Sequence, residues 1–201
     1  MKDIYVHPSA IVETDQIGEG TRIWAYTHVM KDVVVGANCN IGEHCFLESG
    51  VTVGDDVTIK NGSLLWEGVH LEDGTFLGPR VTFTNDKYPR SPRLAQARTR
   101  YTDRRWLEPT FVRRGASLGA GAIILAGITI EEFCIVGAGA TVTRSLPANA
   151  LAIGSPARVR GWVCRCGQRL PSSPGVATCP DCNLTFIDGG GLVEGRPEFV
   201  E

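Results

Sequence analysis

Apolar residues recur at every sixth position along most of the chain. Fourteen successive positions of this series, from Tyr5 to Phe83, are apolar, and six more run from Val112 to Val142. A short period repeated this often is typical of a solenoid, in which each repeat packs only on its neighbours. With three repeats to a triangular coil, the twenty repeats predict about seven coils.

A second series, four residues after the first, holds small or β-branched side chains. Each member lies two residues before the next member of the first series, so on a strand both side chains point into the same narrow core. Glycine often follows the aliphatic residue, as at Gly36 and Gly54, which suits a turn in every repeat. The pattern therefore predicts an all-β fold, a parallel β-helix of short strands. The second series comprises Thr21, Thr27, Val33, Cys39, Cys45, Val51, Val57, Ser63, Val69, Thr75, Val81, Ala116, Ala122, Cys134 and Ala140.

Three of the seven cysteines belong to this second series. Cys39, Cys45 and Cys134 occupy its small inward position, which favours a structural role over a catalytic or redox one. A lone inward thiol of this kind behaves as a small apolar side chain.

The remaining four cysteines lie beyond the last repeat. Four clustered thiols favour a structural tetrahedral zinc site, and a metal-free ribbon is the alternative. We expect a β-helix domain at residues 1–160 and a small zinc-ribbon-like tail at residues 161–201. The proposed ligands are Cys164, Cys166, Cys179 and Cys182.

The charge and composition of the chain limit the classes of partner that it is expected to bind. Lys and Arg number 20 against 22 Asp and Glu, so no basic excess favours binding to nucleic acid or to an anionic membrane. No apolar run approaches the roughly 18 residues of a membrane span, and the first residues lack the apolar core of an export signal. We expect a cytoplasmic chain with reduced thiols.

The repeat is interrupted by an extruded loop at residues 84–111. The loop has a local surplus of basic residues over Asp86, Asp103 and Glu108. Long loops in compact folds are usually functional, so a phosphate or carboxylate guest is one interpretation. An arm that reaches a neighbouring subunit is the other, and both can hold. The basic residues are Lys87, Arg90, Arg93, Arg98, Arg100, Arg104 and Arg105.

Stacking arithmetic predicts what lies at the base of the loop. Asn85 follows its aliphatic residue by two positions, and the residue 18 positions earlier, on the same corner one coil below, is Glu67. An amide and a carboxylate should therefore stack at about 4.8 Å. His70 and His28 are expected to project outward from the strands.

Five segments resemble a known family. They read IWAYTHVM at residues 23–30, WEGVHLED at 66–73, FTNDKYPRS at 83–91, VGAGATVT at 136–143 and GSPAR at 154–158. This set resembles the hexapeptide-repeat nucleotide-sugar 3-N-acetyltransferases over most of residues 5–163. The resemblance implies a left-handed winding, although parallel crossovers are generally right-handed.

The same resemblance implies the activity: acetyl transfer from acetyl-coenzyme A to a sugar 3-amino group, in bacterial surface polysaccharide or glycan biosynthesis. Residues 161–167 are similar to the branch that acts on UDP-2-acetamido-3-amino-2,3-dideoxyglucuronate, which we favour. Residues 84–90 are similar to the branch that acts on dTDP-3-amino-3,6-dideoxyhexoses, the alternative.

Site residues follow from the resemblance and the stacking together. Asn85 and Asp86 are the candidate catalytic pair, and substrate contacts are expected from Glu67, Trp24, His28 and Arg90. In the family, coenzyme A lies along the later coils at a subunit boundary of a homotrimer. Backbone groups around Ala120 and Ala138 would meet its pantetheine, and Arg158 and Arg160 its phosphates.

The amine itself argues against a strong general base. A sugar amine titrates near an α-amino group, at about 8, so presenting it deprotonated at neutral pH costs only roughly 1.4 kcal/mol. Asn85 would then orient the amine as an acceptor, and the departing thiolate can take the proton. His70 is the alternative base.

Two other classes of protein share the repeat. A metal-dependent lyase of the γ-type carbonic anhydrase kind needs three converging histidines, and His28, His44 and His70 occupy unlike positions of the repeat. A non-catalytic solenoid scaffold would need no Asn-Asp pair at the mouth of a loop.

Overall fold

The computed structural model describes residues 3–171, 175–188 and 192–194. The predicted tail, 161–201, therefore lies partly outside the described residues. The regular structure of the described chain is short strands joined by turns: β1 (Tyr5–Val6), β2 (Ile11–Val12), β3 (Arg22–Ile23), β4 (His28–Val29), β5 (Val34–Val35), β6 (Asn40–Ile41), β7 (Phe46–Leu47), β8 (Thr52–Val53), β9 (Thr58–Ile59), β10 (Leu64–Leu65), β11 (Val69–Leu71), β12 (Phe76–Leu77), β13 (Thr82–Phe83), β14 (Thr110–Val112), β15 (Ser117–Leu118), β16 (Ile123–Ile124), β17 (Thr129–Ile130), β18 (Ile135–Val136), β19 (Thr141–Val142), β20 (Ala150–Ile153), β21 (Arg158–Trp162), β22 (Val176–Thr178), β23 (Thr185–Asp188) and β24 (Leu192–Glu194).

Three parallel sheets form the sides of a prism. The first sheet has the order β1-β3-β6-β9-β12-β15-β18-β20-β21, the second β19-β16-β13-β10-β7-β4-β2, and the third β17-β14-β11-β8-β5. Strands that follow one another in the chain thus lie on different faces, and along most of the prism every third strand returns to the same sheet. The predicted parallel β-helix is confirmed, and it is consistent with the left-handed winding of the family it resembles.

Both inward series fill the core. From Ile23 onward the aliphatic series is almost fully buried, and so is the small series. The hydroxyls of Thr21, Thr27 and Ser63 in that small series donate to carbonyls of the next coil, as Thr21 Oγ1 does to the Gly36 carbonyl at 2.7 Å. Burial raises the pKa of the Cys134 thiol to about 12, so this cysteine is an inert core residue as predicted.

The first coil departs from the predicted register. Tyr5 pairs with Arg22 and Ile11 with His28, so both side chains point outward, and they are 41% and 57% exposed. Val6 and Val12 take the inward positions. The prediction for Tyr5 and Ile11 was wrong because the first coil is one residue shorter than the others, and the chain regains the register at Ile17, which bridges to Val35.

The extruded loop leaves the prism after β13 and returns at β14. Val69 pairs with Thr110, a spacing of 41 residues where ordinary coils have 18, so 41 − 18 = 23 residues are inserted. A 3₁₀ helix, η1, spans Ala95–Tyr101 within the loop. Thr110 and Phe111, predicted to be in the loop, belong to strand β14.

The carboxyl-terminal end changes character after β20. Strand β21 runs antiparallel to β20, so the predicted domain boundary after residue 160 falls inside β21. Beyond it, β22, β23 and β24 form a small antiparallel sheet over a second apolar cluster. Among the described residues, no helix is long and apolar enough to cross a membrane.

Candidate active site

Asn85 and Glu67 stack at one corner of the prism, between the second and third sheets. Asn85 Nδ2 donates to the backbone carbonyl of Glu67 at 3.3 Å, so the predicted stack is confirmed. The partner is the main chain and not the carboxylate, which instead pairs with Arg104. No described residue donates a hydrogen bond to Asn85 Oδ1, so this acceptor is available at the base of the loop.

The loop is narrow where it leaves the prism. The Glu108 amide donates to the Asn85 carbonyl at 3.0 Å, and Asp86 forms an antiparallel bridge with Leu107. Lys87 Nζ lies 3.0 Å from Glu108 Oε2. These contacts fix the backbone of Asn85 and thereby the direction of its side chain.

The Asp86 carboxylate is occupied by its own chain. It pairs with Arg100 and accepts hydrogen bonds from the Tyr101 hydroxyl and the Tyr88 amide, both at 2.9 Å. Burial alone would raise the pKa of Asp86, but the hydrogen bonds and the charge of Arg100 lower it below its usual range. Asp86 therefore anchors helix η1 to the base of the loop.

Much of the basic surplus of the loop is neutralised internally. Among the described residues, Lys87, Arg100, Arg104 and Arg105 each pair with a carboxylate, while the remaining arginines of the loop pair with none. Among the described residues, the guanidinium of Arg90 donates only to the adjacent Pro89 carbonyl, at 2.9 Å, so it has capacity for a further anionic group.

Trp24 and His28 lie on lower coils. Trp24 Nε1 donates to Asn40 Oδ1 at 2.9 Å, and its ring packs against Tyr5 with a centroid distance of 5.4 Å. His28 lies on the second sheet, three coils from Thr82 or about 14 Å, and its Nε2 is 2.8 Å from Glu13 Oε1. In a single chain the structure does not bring either residue together with Asn85.

His70 projects outward from the third sheet, as predicted. Its Nδ1 is 2.8 Å from Thr52 Oγ1, and its ring stacks on Phe111 with centroids 4.9 Å apart. Burial lowers the pKa of His70, so the ring is neutral at pH 7. Among the described residues the histidines form no cluster with metal-ligand spacing.

The predicted coenzyme contacts share a different edge, between the first and second sheets. Ala120 and Ala138 are exposed there on successive coils, and the Gly139 amide donates to the Ala120 carbonyl at 2.8 Å. Arg158 lies in β21 of the first sheet, where it pairs with Ile153 of β20. Arg160 lies two residues further along β21.

Sequence reasoning missed the partners of Asp86. Arg100 was counted only as part of the basic surplus, and Tyr101 was not singled out. No spacing rule identifies them because helix η1 lies outside the repeat. A basic residue and a tyrosine side by side in an inserted loop are the only signal that the sequence offers.

The chain matches two hexapeptide-repeat families. Residues 16–49 match the bacterial transferase hexapeptide family, and residues 114–144 match the hexapeptide repeat of succinyl-transferase. Over 189 residues the chain is 46% identical to dTDP-3-amino-3,6-dideoxy-α-D-galactopyranose 3-N-acetyltransferase of Aneurinibacillus thermoaerophilus. That alignment covers 94% of this chain and 93% of the relative.

Solved structures share the fold. A mutant of GDP-perosamine N-acetyltransferase from Caulobacter crescentus, in complex with coenzyme A and GDP-perosamine, is 27% identical with a TM-score of 0.50 over 80% of this chain and 57% of that one. A maltose O-acetyltransferase from Clostridium difficile 630 is 25% identical with a TM-score of 0.51 over 60% and 64% of the two chains. The chain belongs to the hexapeptide-repeat family of bacterial transferases.

Proposed function

We propose that the chain moves an acetyl group from acetyl-coenzyme A to the 3-amino group of a dTDP-linked 3-amino-3,6-dideoxyhexose. The observation that carries the proposal is the corner at Asn85, where an amide oxygen without a described partner stands at the base of a long loop. Sequence similarity to a 3-N-acetyltransferase over nearly the whole of both chains supports the reaction and the class of substrate.

The dTDP sugar has more support than the UDP sugar. The relative that is 46% identical acts, by its name, on dTDP-3-amino-3,6-dideoxy-α-D-galactopyranose. Residues 84–90, which include Asn85, resemble the same branch. The UDP-2-acetamido-3-amino-2,3-dideoxyglucuronate favoured by the sequence alone rests on residues 161–167, which lie beyond the last coil. It remains the second candidate.

Asn85 orients the amine in this mechanism. Its Oδ1 accepts a hydrogen bond from one N–H, which turns the nitrogen lone pair toward the thioester carbonyl. The N–C bond forms, the tetrahedral intermediate collapses as the C–S bond breaks, and the coenzyme thiolate takes the proton from nitrogen. The products are the acetamido sugar and coenzyme A thiol.

This mechanism needs no strong base. The sugar amine titrates at about 8, so its deprotonated form costs only roughly 1.4 kcal/mol at neutral pH. His70, whose pKa is lowered by burial, is engaged with Thr52 and packs on Phe111. A lowered pKa makes the ring a weaker base, and these two contacts restrict its approach to an amine.

We also propose that the active site is completed between chains of a homotrimer. Ala120 follows the first sheet, whereas Asn85 follows the second, so the two candidate half-sites lie on different edges of one prism. A neighbouring chain can bring its own Ala120 edge against this Asn85. The same arrangement would allow Trp24 and His28 to contact a nucleotide held at a neighbour's Asn85.

A panel of amino sugars tests the proposal. Thiol release from acetyl-coenzyme A is followed with dTDP-3-amino-3,6-dideoxygalactose, its glucose epimer and the UDP-linked 3-amino glucuronate. We expect kcat/KM to be highest for a dTDP sugar. Turnover of the UDP sugar alone would reassign the nucleotide, and no turnover of any amino sugar would overturn the function.

A further inference from the structure

The four cysteines beyond the repeat converge on one point. Their Sγ atoms all lie within 4.8 Å of one another, with Cys164 and Cys182 3.3 Å apart and Cys166 and Cys179 3.6 Å apart. Four thiolates around a zinc ion at about 2.3 Å would lie about 3.8 Å from each other. Within the described residues no other group of three or more potential ligands is this close.

We propose that Cys164, Cys166, Cys179 and Cys182 bind one structural zinc ion, which folds the described part of the tail against the end of the β-helix. Four protein sulfurs fill a tetrahedral site and leave no position for a water or a substrate. The ion therefore has a role in folding and none in acetyl transfer.

The first pair of sulfurs sits in a tight turn. The Cys164 amide donates to the Gln168 carbonyl at 2.8 Å, and the Gly167 amide donates to the Cys164 carbonyl at 2.9 Å. Gly167 has a φ of +92°, which lets a pair with only one intervening residue close into a metal-binding turn.

The second pair follows the same design. The Cys179 amide donates to the Leu184 carbonyl at 2.8 Å, and the Asn183 amide donates to the Cys179 carbonyl at 3.1 Å. Each pair of cysteines therefore lies in a turn that is closed by its own backbone hydrogen bonds.

The tail is too small to fold on apolar burial alone. In the described part of the tail, the cluster has five buried side chains, two of which are cysteines of the proposed site: Cys164, Leu170, Ala177, Cys179 and Phe186. Units of this size generally need a metal or a disulfide. Each sulfur lies close to the other three, which is the arrangement that one tetrahedral ion requires. Two disulfides would require only two close pairs of sulfurs.

The folded tail has a defined place on the prism. Trp162 packs against both apolar clusters, and Asn149 and Val163 exchange hydrogen bonds at 2.8 and 3.0 Å. The guanidinium of Arg165 lies 5.1 Å from the centroid of the Phe133 ring. Zinc binding would therefore fix the tail beside the last coils.

Metal analysis of the purified full chain tests the proposal. We expect one zinc per chain by mass spectrometry of the metal, and replacement by cobalt should give the absorption of a tetrahedral thiolate site. Cys182→Ala, at an exposed ligand, should reduce bound zinc to background. Cys134→Ala removes a buried thiol from the β-helix core and is the matched control, which should keep the metal.

A second readout follows the tail directly. Removing the metal with a chelator should make trypsin cleave after Arg165 and Arg169 about tenfold faster or more, while the β-helix remains protected. Three outcomes overturn the proposal: four reduced thiols without metal in an ordered tail, two disulfides in the freshly purified chain, or iron in place of zinc.

Discussion

Asn85 and Asp86 are neighbours in the chain, but their side chains have different surroundings. Asn85 donates to the Glu67 carbonyl and keeps its oxygen available, whereas the Asp86 carboxylate is held by Arg100 and Tyr101. Of the two predicted catalytic residues, we therefore expect Asn85 to touch the substrate. We expect Asp86 to position the loop through these contacts.

Asn85→Ala should lower kcat with little change in the affinity for coenzyme A. It removes an acceptor without opening a core cavity, so the stability of the β-helix should hardly change. Losing an orienting hydrogen bond of roughly 2 to 3 kcal/mol slows turnover by about 30- to 150-fold. His70→Ala should do much less, measured by thiol release at saturating acetyl-coenzyme A from pH 6 to 9. Should His70→Ala abolish turnover and Asn85→Ala leave it intact, His70 is the general base.

The attachment of the loop should depend on pH through Asp86. The folded pKa of this carboxyl lies below its unfolded value of about 3.9, so its contribution to stability is fully present above that value and is lost as pH falls through the folded pKa. Hydrogen exchange of residues 87–106 should be constant from neutral pH to about 5, after correction for the intrinsic rate, and should accelerate below about 4. Attachment that weakens between pH 7 and 5 would exclude Asp86 as the anchor.

Asp86→Asn should release the same loop at neutral pH. Removing the charge opposite Arg100 leaves a partly buried guanidinium without its carboxylate, and trypsin should cleave within residues 87–106 several-fold faster. Asp103→Asn is the matched control, because the Asp103–Arg105 pair is exposed and local. Equal cleavage of the two variants would refute the anchoring role.

The sequence predicts the stack of Asn85 on Glu67 because residues 18 positions apart share a corner of the prism. It does not predict Arg100 and Tyr101 as partners of Asp86, because the path of an inserted loop obeys no repeat. The expectation that the loop binds an anion stays a prediction, and it now rests on the arginines that pair with no carboxylate among the described residues. Which arginines find a carboxylate depends on that path.

Among the elements, some turns pack directly against the turn of the next coil. A Cβ on Gly78 would lie 2.6 Å from the amide nitrogen of Ala120, whereas one on Gly121 would meet nothing within 4 Å. Glycine at the first position therefore permits the close approach of two coils at the candidate coenzyme edge. Gly121 has a φ of +67° and serves the turn itself.

Gly78→Ala should destabilise the chain by about 1 to 3 kcal/mol through overpacking against the next coil. It should also weaken coenzyme A binding, because the Ala120 backbone must shift. Gly121→Asn is the control, since asparagine tolerates a positive φ and the space is open. Thermal unfolding and coenzyme A titration of the two variants measure both effects, and a fully stable Gly78→Ala would contradict the packing argument.

In the first coil, the six-residue periodicity does not predict which side chains point inward. Tyr5 and Ile11 fit the six-residue pattern, yet the chain places Val6 and Val12 inward because apolar residues stand at both adjacent positions. Among the described residues no coil packs on the outer side of the first coil. Either register would therefore bury little additional apolar surface there. Between β1 and β2, the amide of Ser9 donates a hydrogen bond to His7 Nδ1 at 3.2 Å, and the Ser9 hydroxyl lies 2.9 Å from the same nitrogen.

For the whole molecule, the separation of the candidate half-sites favours assembly. The Asn85 corner and the Ala120–Ala138 edge are on different edges of one prism, so neighbouring chains would have to contribute one half each. Light scattering should give a mass near three times 21.7 kDa. A monomer that is fully active at all concentrations would contradict the shared site.

The proposed reaction is acetyl transfer to a sugar nitrogen. The most direct measurement is nuclear magnetic resonance and mass analysis of the product formed from acetyl-coenzyme A and dTDP-3-amino-3,6-dideoxygalactose. We expect one acetyl group on the nitrogen at carbon 3 for each coenzyme A thiol released, and no transfer to the matching sugar with a hydroxyl at that carbon. An ester product, or thiol release without acetylated sugar, would contradict it.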